Sequence, residues 1–385
     1  MPILFILSPF IAILLYTICA YNVKTINNKH LWSIAFMLAV YLGLLNSTKE
    51  LLGDFEAYHY HFELVEKYKF IPYLMHFGKE PLYYTYTYIG YYLFLGNWPA
   101  FVVSLAVINY MLISYSIIRI GNYLKTDPKN IITALFIMAF FFQEFAATSN
   151  LVRQALSEAI TMVFLTHLYL DNKKSWWIAV CAVLVHSSCI PILGLGIIPS
   201  IKKSFTIKGL IKLVAPLGIL VVLFYAVASY LTRLPLIGYV FARALNISLG
   251  ADKWQENVGL QPLMIALLFL FSCMCIYLYL KRDKKDDEGY IGFININIIL
   301  YLLLIICNII GAYFILSRYF FFVYALQNFI IIMFLHKFKL TNNDFARYSL
   351  LVVMIFYFFY NYTHNIFTYS SIQEAILYLL PEYLL

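Results

Sequence analysis

Residues 291–316 read IGFININIILYLLLIICNIIGAYFIL, a run of 26 residues without a charged side chain. An α-helix needs about 20 predominantly apolar residues to cross the hydrocarbon core of a bilayer. The run is long enough for one complete crossing, and it is bounded on its amino-terminal side by the charged sequence KRDKKDDE at 281–288. This stretch therefore predicts a transmembrane helix.

The rest of the chain has the same character. Of its 385 residues, 63% are hydrophobic and 12% are charged, whereas soluble domains carry about 25% charged residues. The mean hydropathy is +0.80. This composition predicts an all-α polytopic membrane protein and excludes a soluble enzyme, a secreted disulfide scaffold and a nucleic-acid-binding protein. The six cysteines lie in apolar runs without a CxxC motif, which argues against disulfides and a structural metal.

Apolar segments recur along the whole chain and predict about 12 transmembrane spans in a single domain, residues 1–385. The first has no basic region before it and no small-residue cleavage site, so we interpret it as a retained span and not as a signal peptide. The segments are 3–21, 31–47, 81–96, 98–118, 131–148, 150–170, 175–200, 209–231, 262–280, 291–316, 318–336 and 347–366.

The distribution of basic residues predicts the orientation of these spans. Six short links carry 18 of the 27 basic residues and 7 of the 19 acidic ones, and all six are cytoplasmic if the amino terminus is external. Residues 48–80 and 232–260 then form the two long external loops. The six links are 22–30, 119–130, 171–174, 201–212, 281–288 and 336–347.

Two segments do not fit this alternation as single spans. Residues 81–96 carry six tyrosines and one phenylalanine, a composition that suits a re-entrant or interfacial helix. Residues 175–200 must cross twice in 26 residues, so we predict two short half-spans that break near His186 to Pro191 around a protein-lined cavity.

Arginine is distributed unlike lysine. Four of the seven arginines, Arg153, Arg233, Arg243 and Arg318, fall at the external side, whereas the cytoplasmic links hold 15 lysines and three arginines. Lysine is a strongly hydrated point charge, but the planar arginine side chain can bind phosphate with two parallel hydrogen bonds. The external arginines therefore predict a phosphate-binding site.

The strongest local motif is Asn150-Leu-Val-Arg-Gln-Ala-Leu-Ser-Glu158, which places Arg153 just inside the outer end of a span. A charged side chain at that depth is costly unless it is paired or faces a cavity. Gln154 shares a helix face with Glu158. Two interpretations remain open: ligand binding by Arg153 and Gln154, or a structural pair of Arg153 with Glu144 or Glu158.

Other polar residues have both a catalytic and a structural interpretation. His186, followed by Ser187-Ser188, is a candidate general base or a histidine bonded to a carbonyl group at a helix break. Asp54, four residues before Tyr58, is a second candidate base or a helix N-cap. Glu80, before Pro81, is a candidate substrate contact or the start of a helix.

Further motifs limit the chemistry. His59 and His61 lack a third ligand at a suitable spacing, so we predict no metal site. Arg318 either binds substrate or extends toward lipid headgroups. No nucleotide-binding fingerprint occurs, so we predict no cofactor and a substrate that is already activated.

The Arg153-Gln154 motif, followed about thirty residues later by His186-Ser187-Ser188, resembles the EpsG-like branch of the Wzy-type polysaccharide polymerases. Asp54 with Tyr58, Glu80-Pro81 and Ser317-Arg318-Tyr319 follow the same order. The resemblance implies a metal-independent, C-type (GT-C-like) glycosyltransferase in the bacterial inner membrane. It also implies transfer of a growing glycan from undecaprenyl pyrophosphate onto a newly flipped repeat unit, as in O-antigen, capsule or exopolysaccharide synthesis.

These observations combine into one hypothesis. Arg153, with Arg318 and with Arg243 or Arg233, binds the donor pyrophosphate, and His186 or Asp54 accepts the proton of the acceptor hydroxyl. The expected partners are lipid-linked glycans, membrane lipid and a chain-length regulator protein, but no nucleic acid. The alternatives are a flippase for lipid-linked oligosaccharides, an O-antigen ligase-like transferase and a membrane scaffold.

Overall fold

The structure is a computed structural model that describes residues 2–23, 26–77, 79–204, 261–282, 288–309, 313–338, 343–365 and 368–377, with single positions 215, 216, 219 and 223. These residues form helices joined by turns and short loops, and no strand occurs among them. The prediction of an all-α protein is therefore confirmed for this part of the chain. The predicted span 209–231, apart from the four single positions, and the loop 232–260 lie outside the described residues.

The helices follow one another closely along the chain. In the amino-terminal half they are α1 (Pro2–Leu7), α2 (Pro9–Asn22), α3 (Asn28–Ser47), α4 (Asp54–Glu63), α5 (Phe70–Phe77), α6 (Pro81–Leu93), α7 (Trp98–Tyr123), α8 (Pro128–Ala139), α9 (Phe142–Asn150), α10 (Val152–Leu170), α11 (Trp176–Val185) and α12 (Ile190–Gly196). In the carboxy-terminal half they are α13 (Pro262–Leu280), α14 (Glu288–Ile309), α15 (Tyr313–Lys337), α16 (Asp344–Thr363) and α17 (Ile372–Leu377).

These helices belong to two compact units. The first comprises Met1–Gly194 with Ile331–Leu385, and the second comprises Leu195–Ile330. In the second unit, the buried Asn295 amide of α14 donates to the carbonyl oxygens of Ile201 (2.6 Å) and Lys203 (2.8 Å). The candidate site described below is composed of first-unit residues alone.

Five described helices are long and apolar enough to cross a membrane: α3, α7, α13, α14 and the part of α15 from Leu316 to Lys337. Helices α8 and α9 meet the same criterion only as a pair, which is bent by 53° at its break. The protein is therefore a multi-helix membrane protein with five or six candidate spans among the described residues. Twelve spans and a C-type glycosyltransferase architecture remain predictions.

Several predicted spans are interrupted helices. Segment 3–21 divides at Ser8, because α2 begins at Pro9, whose ring lacks the N–H group and suits the first position of a helix. Segment 175–200 breaks where predicted: α11 ends at Val185, and His186 has extended backbone angles. The ten residues of α11 are about 15 Å long, half the thickness of the hydrocarbon core.

One predicted boundary is wrong. The expected spans 291–316 and 318–336 placed Arg318 directly after the end of a span, but α14 ends at Ile309 and α15 has already begun at Tyr313. Arg318 therefore lies within a helix, in its second turn. The physical reason is that hydropathy stays high from Ile309 to Leu316, so an apolar run does not reveal where one helix ends.

Cytoplasmic links predicted from charge meet at one end of the first unit. Arg119 pairs with Asp171 at 2.8 Å, which joins the links 119–130 and 171–174. The buried Arg347 pairs with Asp127 at 2.8 Å and with Asp344 at 2.6 Å, which adds the link 336–347. We call this the lysine-rich end.

Two of these contacts yield a stability prediction. The double variant Asp127→Asn/Asp344→Asn leaves the buried Arg347 without these two carboxylates, and a buried charge that loses its partners destabilises the folded state. We expect a lower unfolding temperature in detergent, which a further Arg347→Met change restores in large part. Asp171→Asn breaks the more exposed pair and serves as the control, with an expected cost below about 1 kcal/mol. Equal melting of the wild type and the double variant would contradict the prediction.

The opposite end of the first unit is also closed by contacts distant in sequence. The backbone N–H of Glu50 donates to the Thr368 carbonyl at 3.0 Å, and the Ser370 N–H donates to the Thr48 hydroxyl at 3.1 Å. The predicted external loop 48–80 starts at this end, and most of it is helical, because α4, a 3-10 turn at Leu64–Lys67 and α5 lie within it.

Aromatic rings hold α4 and α6 against α7. Phe62 of α4 stacks on Phe101 of α7 with ring centroids 4.8 Å apart, and Trp98 packs against both rings. Gly90 of α6 permits this approach, because a Cβ atom there would lie 2.5 Å from the Phe101 ring.

The 13 residues of α6 are about 20 Å long, too short to span the bilayer alone. Its placement as an interfacial helix stays a prediction.

Candidate active site

The candidate active site is centred on Arg153, in the first turn of α10. Helix α10 runs 19 residues to Leu170, next to Asp171 at the lysine-rich end. At 1.5 Å per residue this separates the two ends of α10 by about 28 Å. Arg153 therefore lies at the end of the first unit opposite the lysine-rich links, as the charge distribution predicts.

Arg153 is paired with Glu80. Its Nη1 atom donates to Glu80 Oε2 and, at 3.3 Å, to the Tyr84 hydroxyl. Glu80 is the N-cap residue of α6, and Tyr84 follows one turn later. The prediction that Glu144 or Glu158 is the partner of Arg153 is wrong. Glu158 instead accepts a hydrogen bond from Gln154 at 2.9 Å, and both residues are buried inside the unit.

Two buried tyrosine rings support the guanidinium group. Its central carbon lies 5.1 Å from the ring centroid of Tyr58 and 5.9 Å from that of Tyr83. Cation–π contacts of this kind are favourable and leave the N–H groups available to a ligand. The Arg153 side chain is 26% exposed. Burial raises the pKa of Tyr58, so this phenol stays protonated beside the arginine.

His186 approaches the same pair from the break after α11. Its Nε2 atom lies 3.5 Å from Glu80 Oε1. The Ser157 hydroxyl of α10 donates to the His186 carbonyl oxygen and to the Ala182 carbonyl oxygen, each at 3.0 Å, so it ties the break to the helix that carries Arg153. Three side chains predicted separately therefore meet at one place: Arg153, Glu80 and His186.

His61 closes the site on the α4 side. Its ring lies 4.5 Å from Phe77 and 5.7 Å from Tyr84, and Phe77 and Tyr84 stack nearly parallel at 4.1 Å. Burial, reinforced by the charges of Arg153 and His76, lowers the pKa of His61 to about 4. His61 is therefore neutral at physiological pH.

This lowered pKa predicts acid sensitivity. Between the ordinary histidine value of 6.5 and about 4, the unfolded chain binds a proton at residue 61 that the folded chain does not bind. The stability present above pH 6.5 is therefore lost as the pH falls toward 4. We expect the unfolding temperature of His61→Gln to fall less between pH 7 and pH 4.5 than that of the wild type. His364→Gln, at an exposed position, is the control, and equal acid sensitivity of the wild type and His61→Gln would refute the prediction.

Lys49 is a residue that the sequence analysis missed. It is buried, and its Nζ atom donates to the Ser149 carbonyl at 3.3 Å and to the Asn150 amide oxygen, at the turn that precedes Arg153. Burial lowers the pKa of Lys49 to about 8. A lysine directly after an apolar span is an expensive residue, and this signal was present in the sequence.

Asp54 is the first residue of α4 and is exposed, with Gly53 as the N-cap residue. Its charge acts on Lys49 and Tyr58, so it lies beside the site, and its catalytic role remains a prediction. Arg318 belongs to the second unit, and Arg233 and Arg243 lie outside the described residues. Among the described residues, no three His, Cys, Asp or Glu side chains are placed to share a metal ion.

The sequence of the chain matches a known family. The EpsG family profile matches residues 48–374, which is most of the chain and includes every residue of the site. The chain belongs to the EpsG family. This membership indicates a polysaccharide polymerase type of function, of the glycosyltransferase kind. No curated protein and no solved structure matches the chain.

Proposed function

We propose that this EpsG family protein polymerises oligosaccharide repeat units carried on undecaprenyl pyrophosphate, at the outer face of the bacterial inner membrane. The observation that supports this function is the Arg153 guanidinium. It lies opposite the lysine-rich end, rests on tyrosine rings, and retains 26% of its side-chain surface exposed. An arginine at this depth suits a diphosphate attached to a membrane lipid.

In this proposal, the donor is already activated, so the protein supplies orientation and charge stabilisation. The acceptor hydroxyl oxygen attacks the anomeric carbon of the donor glycan. The bond from that carbon to the diphosphate oxygen breaks, and its electron pair leaves with the lipid diphosphate. Arg153 neutralises the growing charge, and we propose that Arg318 and Arg243 or Arg233 assist. The buried rings of Tyr58 and Tyr83 hold the guanidinium in place.

A reconstituted assay tests the proposal. Purified protein in vesicles receives a synthetic undecaprenyl diphosphate repeat unit, without nucleotide or partner protein. We expect a ladder of lipid-linked products that differ by one repeat unit. A flippase would move the substrate between leaflets without a ladder, and a ligase-like enzyme would transfer glycan only to a different acceptor. Absence of the ladder under conditions in which the protein is folded would contradict the proposal. Adding a chain-length regulator to the same vesicles tests that partner.

A further inference from the structure

We infer that Glu80 is the residue that accepts the proton of the acceptor hydroxyl, and that His186 positions Glu80 without acting as the base. This inference rests on the proposed function. It assigns a catalytic role to a carboxylate that the sequence suggests as a substrate contact or a helix start, and it replaces the role expected for His186.

The carboxylate occupies the middle of the site. One oxygen atom, Oε2, accepts from Arg153 Nη1, and the other, Oε1, lies 3.5 Å from His186 Nε2. The Glu80 side chain is 13% exposed, less than those of Arg153 (26%) and His186 (20%). Both oxygen atoms are therefore directed by neighbours from two other helical segments, and the group retains access to solvent.

The hydrogen bonds of His186 define its tautomer. The backbone N–H of Ser188 donates to His186 Nδ1 at 3.1 Å, so Nδ1 is an acceptor. In a neutral imidazole the other nitrogen carries the proton, so the group 3.5 Å from Glu80 Oε1 is an Nε2–H donor. Because one ring nitrogen accepts from the backbone and the other donates, the neutral ring has no lone pair free for a substrate proton. Its geometry is that of a group that orients a carboxylate.

The backbone of Glu80 also indicates a special role. Its angles are φ 55° and ψ 53°, in the left-handed region, which is unfavourable for a non-glycine residue. Pro81 adds a restriction, since the residue before a proline disfavours helical conformations. Such strain persists where the surrounding contacts impose it, and it is concentrated at functional sites. Here the strained residue is the one that both Arg153 and His186 contact.

The proposed step couples proton transfer to glycosyl transfer. The proton of the acceptor hydroxyl passes to Glu80 Oε1 while the hydroxyl oxygen forms its bond with the anomeric carbon. The bond between that carbon and the diphosphate oxygen breaks, and the diphosphate leaves with the electron pair. Among the described contacts of the Arg153 nitrogen atoms, the contact with Glu80 is made by Nη1. One guanidinium can thus align the base and the leaving group together.

The test compares two nucleophiles. A sugar hydroxyl needs a base, whereas the azide anion does not. We expect Glu80→Ala to reduce transfer to the sugar acceptor by at least about 10²-fold, and we expect added azide to restore cleavage of the donor with formation of a glycosyl azide. His186→Ala should show a smaller loss that azide also restores, because it acts through Glu80. Arg153→Ala should not respond to azide, because it lacks the group that stabilises the leaving diphosphate.

Matched variants make the result decisive. Glu63→Gln changes an exposed carboxylate of α4 and should retain wild-type transfer. If Glu80→Ala does not fold, Glu80→Gln, which keeps the shape of the side chain, should bind the donor and lose transfer. Transfer by a folded Glu80 variant within tenfold of the wild type would overturn the inference, as would an azide-restored loss in Asp54→Asn but not in Glu80→Ala. If the wild type cleaves no lipid-linked donor, the proposed function itself fails.

Discussion

Replacing Arg153 by alanine is expected to abolish polymer formation and leave single lipid-linked repeat units. The guanidinium of Arg153, on α10, pairs with Glu80. It is also the group that we propose to bind the diphosphate. Removing one preorganised donor to a developing negative charge costs about 10²–10³-fold in rate. The measurement is the rate of ladder formation by the purified variant, together with gel analysis of surface glycan.

Arg153→Lys should not restore the activity, because an ammonium group lacks the planar fork that binds a diphosphate with two parallel hydrogen bonds. Arg119→Ala is the matched control: it removes an arginine whose pair with Asp171 lies at the lysine-rich end, and it should retain wild-type chain length. Protein abundance and the gel-filtration profile should be unchanged in all three variants. Polymer of wild-type length from Arg153→Ala would end the proposed role of this residue.

The second large effect concerns the sides of the membrane. In a background without the six native cysteines, Lys173→Cys should react with an impermeant maleimide only after cells are permeabilised. Lys79→Cys, next to Glu80 in the predicted external loop, should react in intact cells. The difference is close to all-or-none, because a reagent that does not cross the bilayer reaches one side only. The physical basis is the excess of lysine in cytoplasmic links.

A control separates topology from burial. Both positions are exposed in the structure, and both variants should react fully in detergent. Labelling of residue 173 in intact cells would place the lysine-rich end outside and Arg153 inside. A substrate delivered to the outer leaflet would then not reach the site, and the proposed function would be wrong.

Local patterns predicted several elements of this fold correctly. Because residues 175–200 must cross the membrane twice to fit the charge pattern, the sequence indicates a break near His186. The structure has extended backbone there. The lysine-rich links 119–130, 171–174 and 336–347 were expected on one side, and ion pairs join them. Both predictions rest on the cost of charges and free backbone groups in hydrocarbon, a cost that depends on each short segment alone.

The pairing within the site was not predictable in this way. Arg153 and Glu80 are 73 positions apart, and Glu144 and Glu158 are nearer in sequence. The actual partner depends on how α6 packs against α11 and on the tie between Ser157 and the His186 carbonyl. The tyrosines at 83 and 84 read as membrane-belt residues, and only the start of α6 at Pro81 aligns them with Arg153.

By itself, the sequence determined the class of this protein: an all-helical membrane chain with basic links at one end, an arginine near the other, and the motif order of the EpsG family. Those features are sums of local transfer free energies and of short motifs, which need no knowledge of the fold. Only the tertiary structure decided that Glu80 stands between Arg153 and His186. Such a contact between distant segments depends on helix packing over the whole unit, because neither the ion pair nor the strained backbone of Glu80 is favourable until the neighbouring helices hold them in place.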